Sequence, residues 1–395
     1  MNFDSTTNTF SNPGRFGRIM AIVAVVAIAV SLAELAFNVR QFAFSWLVAF
    51  TFWTSLILGA LFMTMVHHLT GAKWSVVLRR ITEAAMSTLR YWWIFAIPML
   101  LLVKQLYPWT NVEMMHEEAT LAKKLPYLNI TFFTVRTVIY FAVWILLTQL
   151  LRRTSLKQDA GWGADTQSKF LRISAPGMIA FALTISFAAF DWWMSLQPAW
   201  YSTIYGVYYF SGGIVAVMAF LALAVHALHS KGVLVFEITK EHMHDVGKLL
   251  FAFMIFWAYM GLSQYLLIWY ANIPEETAFF KARWVGVWKP ISVMIAVGGF
   301  TVPFVLMMNR TLKRTEWGLS LFAIWMLLMH WMDTYWNVMP ILFPDGHIAL
   351  SWVDVTTMAG LGAAFLALFW RAFTSVPVVP VTDPHLQDSI DFVNQ

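Results

Sequence analysis

Ten apolar stretches, most of them about 20 residues long or a little more, run through this sequence at roughly 19–37, 43–66, 88–107, 131–151, 175–196, 202–228, 247–271, 286–308, 317–340 and 352–373. About 20 apolar residues of helix cross the hydrocarbon core of a bilayer. In lipid every backbone N–H and C=O needs an internal partner, so segments of this length cross as helices. The pattern predicts an all-α polytopic membrane protein with about ten transmembrane helices. Charge agrees. Only 12% of the residues are Asp, Glu, Lys or Arg, against about 25% in a soluble domain.

The start, MNFDSTTNTF, is polar and carries no basic region. The first span is therefore expected to act as its own insertion signal, with no cleaved peptide. Lys and Arg collect in cytoplasmic loops. Arg15, Arg18, Lys73, Arg79, Arg80, Arg152, Arg153, Lys157, Arg310, Lys313 and Arg314 fall on the side that also receives both ends of the chain. Both termini are expected in the cytoplasm, as polar, flexible tails covering 1–18 and 374–395. The same bias explains a net charge of +5. Lipid is the expected surrounding, and no nucleic-acid partner is called for. The chain has no cysteine. That excludes disulfides, thiolate-held iron–sulfur clusters and covalently attached c-type haem within it.

The spans repeat. Asp191 stands seven residues before Pro198, and Asp333 stands seven before Pro340. His67 and His68 are followed by Gly71 and by ITE at Ile81; His226 and His229 are followed by Gly232 and by ITK at Ile238. FFTVR ends at Arg136, and FFKAR ends at Arg283. The shared order suggests two tandem four-helix units, 43–196 and 202–340, with peripheral spans at 19–37 and 352–373. An even number of helices gives both units one orientation, related by an axis along the membrane normal.

An acid inside a membrane costs a few kcal/mol, so it faces a partner or a wet cavity. Asp333 is the strongest candidate for a proton path. His330, three residues earlier, lies on the same helical face. An Asp–His pair in a low dielectric can hold or pass a proton, and it can equally brace two helices. Asp191 is expected nearer the interface, with Arg136 and Arg283 as candidate partners. Gln264 and Tyr265 share one span and can line a quinol pocket, although core packing explains them more simply. His242 and His244, beside Asp245, lack a third convergent ligand, so they read as a helix start rather than a metal site. His67, His68, His226 and His229 fall near span ends, which disfavours bis-histidine haem. No Walker loop, dinucleotide fingerprint or HExxH motif is present. No catalytic residue and no metal ligand is assigned.

Three strings carry a resemblance: FWTSLILGALFMTMVHHLTGAKWSVVLRRITEA, SFAAFDWWMSLQPAWYSTIYGVYYFSGG and EHMHDVGKLLFAFMIFWAYMGLSQYLLIWYANIPEET. Over roughly 45–345 the chain resembles the ActF-type subunits of alternative complex III, which belong to the NrfD/PsrC-like integral membrane proteins. The resemblance implies ten helices containing two four-helix bundles. It implies a bacterial inner-membrane quinol:electron-acceptor oxidoreductase whose acceptor is a cytochrome c or a cupredoxin. The partners would be an ActC-like paralogous membrane subunit, a multihaem cytochrome c, an iron–sulfur subunit and smaller subunits. Haem c and iron–sulfur clusters would sit in those partners, with quinol as the substrate of the whole complex and no cofactor on this chain. Asp191, His330 and Asp333 are then the proton-path candidates. Three other readings stay open: this chain binds quinol itself, around Gln264, Asp191 and Arg283; it is a stand-alone secondary transporter; or it is a scaffold whose acids only brace helices.

Overall fold

The computed structural model describes residues 2–4, 7–117, 119–161, 163, 165–347 and 350–393. Positions 1, 5, 6, 394 and 395 of the expected tails lie outside the described residues. The protein is an all-α polytopic membrane protein. Nine helices among the described residues are long and apolar enough to cross a bilayer.

Ten helices organise the chain: α1 Phe16–Leu32, α2 Val39–Thr70, α3 Arg79–Ser87, α4 Ile130–Gln158, α5 Thr166–Trp192, α6 Tyr205–His229, α7 Lys240–Ala271, α8 Trp288–Ala296, α9 Glu316–Val338 and α10 Trp352–Thr374. Helix α9 has 23 residues but is not among the nine apolar enough. Its last turns carry His330, Asp333 and Asn337, whose polarity offsets its Leu, Met and Trp. Two other expected spans are broken. After α3 the chain continues through short turns of helix to Leu106, one of them opening at Pro98, and Pro108 starts a separate 3-10 turn beyond. After α8 it passes through a π-helical turn, Val297–Thr301, before Val302–Met308. Such a bulge frees a backbone carbonyl from the regular ladder, and Trp325 Nε1 donates to Gly298 O at 2.8 Å.

Sequence sets the helix ends. Asn38 and Asn129 cap α2 and α4 by accepting from backbone N–H groups two or three residues into each helix. Thr239 with His242, and Ser351 with Asp354, form reciprocal capping boxes on α7 and α10, satisfying N–H groups that the helix leaves free. Gly71 ends α2 in the left-handed conformation, at φ 60°, where a Cβ would be strained.

Helices α2 to α5 pack on one another, and so do α6 to α9. The two groups meet along α2 and α6, the most enclosed of the nine apolar helices. Small residues let these two backbones approach. A Cβ on Gly59 would lie 2.4 Å from Gly213 O, and one on Gly213 would lie 2.6 Å from Ser55 O. Helices α1 and α10 pair with each other outside, and α10 leans on α2.

The tails differ from the expectation of flexible ends. At the N-terminal end, β1 Asn2–Asp4 and β2 Thr9–Asn12 form an antiparallel hairpin. It sets Phe10 against Trp370 and Phe373. At the other end, Val378, Val379, Asp383 and Ser389 are buried. Charge and polarity suggested solvated tails. The apolar Phe10, Val378 and Val379 and a buried ion pair of Asp383 supply the docking.

Candidate functional site

The two repeated acids lie in the final turns of α5 and α9, and each helix then closes in a short 3-10 turn, Met194–Leu196 or Met339–Ile341. Both acids are fully buried. Their surroundings differ.

Asp191 sits in an ion pair. Arg136, from the second turn of α4, donates Nε to Oδ2 at 2.8 Å and Nη2 to Oδ1 at 2.9 Å. Tyr140, one turn further along α4, donates its hydroxyl to Oδ2 at 2.6 Å. The third guanidinium nitrogen donates to Tyr127 O at 2.8 Å. The Tyr127 ring lies under the guanidinium at 3.7 Å. Two parallel N–H···O bonds satisfy both partners, which makes removal of either one costly.

Asp333 has neutral partners. Tyr208 of α6 donates its hydroxyl to Oδ1. Asn337, one turn on, donates Nδ2 to the same oxygen at 3.2 Å and to the Asp333 carbonyl at 2.8 Å. Trp257 of α7 donates Nε1 to Oδ2 at 3.4 Å. Tyr205 closes the set by donating to Asn337 Oδ1 at 2.8 Å. No cation forms an ion pair with Asp333 among the described residues.

Arg283, the counterpart of Arg136 in the repeat, is 1% exposed and binds no carboxylate among the described residues. Its Nε donates to Trp336 O at 3.1 Å, Nη2 to Asn337 O at 2.8 Å, and Nη1 to Phe279 O at 2.8 Å and Gln197 Oε1 at 3.1 Å. Phe279 lies beneath the guanidinium at 3.5 Å. The sequence offered both arginines as partners for Asp191; the structure gives that place to Arg136.

His330 and Asp333 share a helix face but no hydrogen bond joins them. The His330 ring turns across the interface between the two helix groups, where Nε2 and Ser55 Oγ of α2 are 2.8 Å apart. Phe52 covers the ring at 5.1 Å. A Cβ on Gly212 would lie 2.8 Å from the imidazole, so the imidazole occupies the space a side chain there would need.

Gln264 and Tyr265 diverge, as neighbours on a helix must. Gln264 is buried and accepts from Ser202 Oγ at 3.1 Å. Tyr265 is exposed, with its ring against Phe280. The pair does not line one pocket. His226 and His229 both meet Glu316, at 2.9 and 3.0 Å. His67 meets Ser75 at 2.6 Å, and His68 stacks on Phe170 at 3.8 Å. His242 caps its own helix and meets Ser389 O at 2.9 Å. Among the described residues no group of three or more His, Asp or Glu is placed to hold a metal ion.

A second charged cluster occupies the basic end of the helices. Glu83 is fully buried among Arg79 Nε at 3.3 Å, Arg80 Nη1 at 2.8 Å and Arg152 Nη1 at 2.9 Å, and accepts from Ser155 Oγ at 2.5 Å. Arg79 also reaches Asp383 of the C-terminal segment at 2.8 Å and Gln158 at 2.8 Å. Sequence reading counted these arginines among the basic residues of the cytoplasmic loops. The signal was Glu83, an acid three and four residues beyond Arg80 and Arg79.

Sequence reasoning also missed Tyr140, Tyr208, Trp257 and Asn337. Asn337 was legible as the i+4 neighbour of Asp333. The other three come from separate helices, and only packing brings them in.

No protein-family model matches this chain, and no curated protein matches it either.

Proposed function

We propose that this multi-pass chain is a proton-conducting membrane subunit of a bacterial quinol:electron-acceptor oxidoreductase of the alternative complex III type. Its acceptor would be a cytochrome c or a cupredoxin. One observation carries the proton role: Asp333 is buried between α6, α7 and α9 with neutral partners. A carboxylate gripped by an arginine through two bonds, as Asp191 is, acts as a brace between helices. A buried carboxyl held by a tyrosine, an asparagine and a tryptophan can exist in either protonation state without breaking an ion pair. Tyr208, Asn337 and Tyr205 extend hydrogen bonds from it along α6 and α9. The assignment to the oxidoreductase rests on the three resembling strings. In that setting the quinol-oxidising chemistry and the redox centres belong to the ActC-like, cytochrome and iron–sulfur partners.

Purification from the native membrane in mild detergent tests the setting. A haem spectrum with a multihaem cytochrome and an iron–sulfur protein at fixed stoichiometry supports it. A colourless species without partners overturns it. Asp333→Asn in the reconstituted complex tests the proton role. The expected result is a lower proton-to-electron ratio with assembly intact, and an unchanged ratio refutes the role.

A further inference from the structure

The two helix groups hold the same pair of residue types in two arrangements. In the first, Arg136 grips Asp191 with two bonds at 2.8 and 2.9 Å. In the second, Arg283 and Asp333 are both buried yet unpaired with each other, the cation on main-chain carbonyls and the acid among neutral donors. A buried guanidinium without an anion and a nearby buried carboxyl without a cation are each costly. Only one residue separates them. Asn337 accepts from Arg283 through its main-chain oxygen at 2.8 Å and donates to Asp333 through its side chain at 3.2 Å.

We propose that Arg283 is a movable counter-charge for Asp333: it leaves the end of α9 and pairs with the carboxylate when that group is ionised, and returns to the carbonyls when the group is protonated. The first helix group displays the paired arrangement with the same residue types. In the second, the resting seat is supplied in advance. The last carbonyls of a helix carry partial negative charge, and Trp336 O and Asn337 O are such carbonyls at the end of α9. The guanidinium therefore has two acceptable positions, and the charge on Asp333 selects between them. Arg283 is a positioning residue in this scheme, since it holds no proton itself.

Among the described residues the charged or titratable groups that face Asp333 are few. Helix α6 contributes Tyr208 and Tyr205, and the turn before α8 contributes Arg283. Helix α7 contributes Trp257, which does not titrate. His330 on α9 itself is engaged with Ser55 of α2. Arg283 is thus the cation in position to respond.

The inference rests on the reading of Asp333 as a group that gains and loses a proton. Its test is the infrared carbonyl band of protonated Asp333 in the intact complex, identified by its loss in Asp333→Asn and followed against pH. Removing a counter-charge raises the pH at which a carboxyl ionises, by about one unit or more. Arg283→Gln is therefore expected to move the band's midpoint up by about one pH unit or more, with Arg283→Lys returning it most of the way to the unaltered value and Arg136→Gln leaving the midpoint unmoved. An unmoved midpoint in a folded Arg283→Gln protein overturns the proposal and leaves Arg283 as a cap on α9. If Arg283→Gln does not fold, a structure of the unaltered complex at a pH well above the midpoint of its own carbonyl band decides, because Asp333 is then ionised. Arg283 seated on Asp333 supports the switch, and Arg283 still on the Trp336 and Asn337 carbonyls overturns it. The two ideas fail separately. A wild-type proton-to-electron ratio in Asp333→Asn removes the conduction reading, whereas an Arg283-independent band with a lowered ratio removes only the switch.

Discussion

Arg136 holds both carboxylate oxygens of Asp191, while Tyr140 supplies a third bond to the same group. Three hydrogen bonds to a buried acid come there from one helix, α4, reaching across to α5. This is the arrangement of a brace between two helices. It explains how an acid can sit with no solvent contact at the end of a membrane helix.

Breaking that brace from one side strands a buried charge. Arg136→Gln or Asp191→Asn is expected to destabilise the protein by about 3–5 kcal/mol. Thermal unfolding in detergent measures it. The double variant should lose less than the sum of the two single losses, because the stranded charge is gone.

Tyr208→Phe removes one of the three donors that serve the Asp333 side chain and leaves Asn337 and Trp257. The cost expected for an unmade bond at a buried acceptor is about 1–3 kcal/mol. In an Asp333→Asn background the same change should cost less, because an amide needs fewer donors than a carboxylate. Thermal unfolding of the four proteins gives the coupling, and strict additivity would mean that Tyr208 supports α6 by some other route.

The crossing of α2 and α6 offers the sharpest steric prediction. A Cβ at Gly59 meets the backbone oxygen of Gly213 at 2.4 Å, and a Cβ at Gly213 meets Ser55 O at 2.6 Å. Backbone cannot swing away as a side chain can. Gly59→Ala and Gly213→Ala should each force the helix groups apart and cost at least the 1–3 kcal/mol typical of overpacking. The His330–Ser55 contact crosses the same seam, so both variants should also weaken it. Purified yield and Tm in detergent check the first point. The His330 ring resonances in an NMR spectrum check the second.

Much of the fold was legible because lipid imposes a simple rule on a sequence. Long apolar runs become helices, and the ten runs read here correspond to helical segments of the structure. The interruptions were harder. Pro98 marks one break, but the π-helical turn at Val297–Thr301 lies where Trp257 and Trp325 pack against Gly299 and Gly298, a contact no local sequence signal announces. Acids were legible as exceptions in an apolar background, so Asp191 and Asp333 stood out, and Arg136 with them. What each acid touches was not legible. His330 lies one turn from Asp333 in sequence, yet its ring follows the seam to Ser55, a residue 275 positions away. The docked C-terminal segment was missed for a related reason. Its polar composition matches a solvated tail, and nothing local in the sequence pairs Asp383 with Arg79, 304 positions away.

That docking carries a pH dependence whose sign can be worked out. Burial alone would push the Asp383 carboxyl up; the Arg79 guanidinium, with bonds from Gln158 Nε2 and the His385 N–H, outweighs it and holds the group below its ordinary value of 3.8. The released segment therefore takes up a proton more readily than the docked one. Stability of docking rises with pH through that window. It is fully present above pH 3.8 and is lost as pH falls through the lower, docked value. The segment is also held by Ser389, whose Oγ donates to Trp74 O at 2.7 Å and whose carbonyl meets His242 Nε2 at 2.9 Å. Amide hydrogen exchange over Leu386–Ile390 reports the docked fraction. Its protection should be flat from neutral pH down to about 4, where a free carboxyl begins to protonate, and should fall below that. Asp383→Asn should show reduced protection at neutral pH and no further acid step from this group. Equal protection in the two proteins at neutral pH would mean that Ser389 and the buried Val378 and Val379 hold the segment without the ion pair.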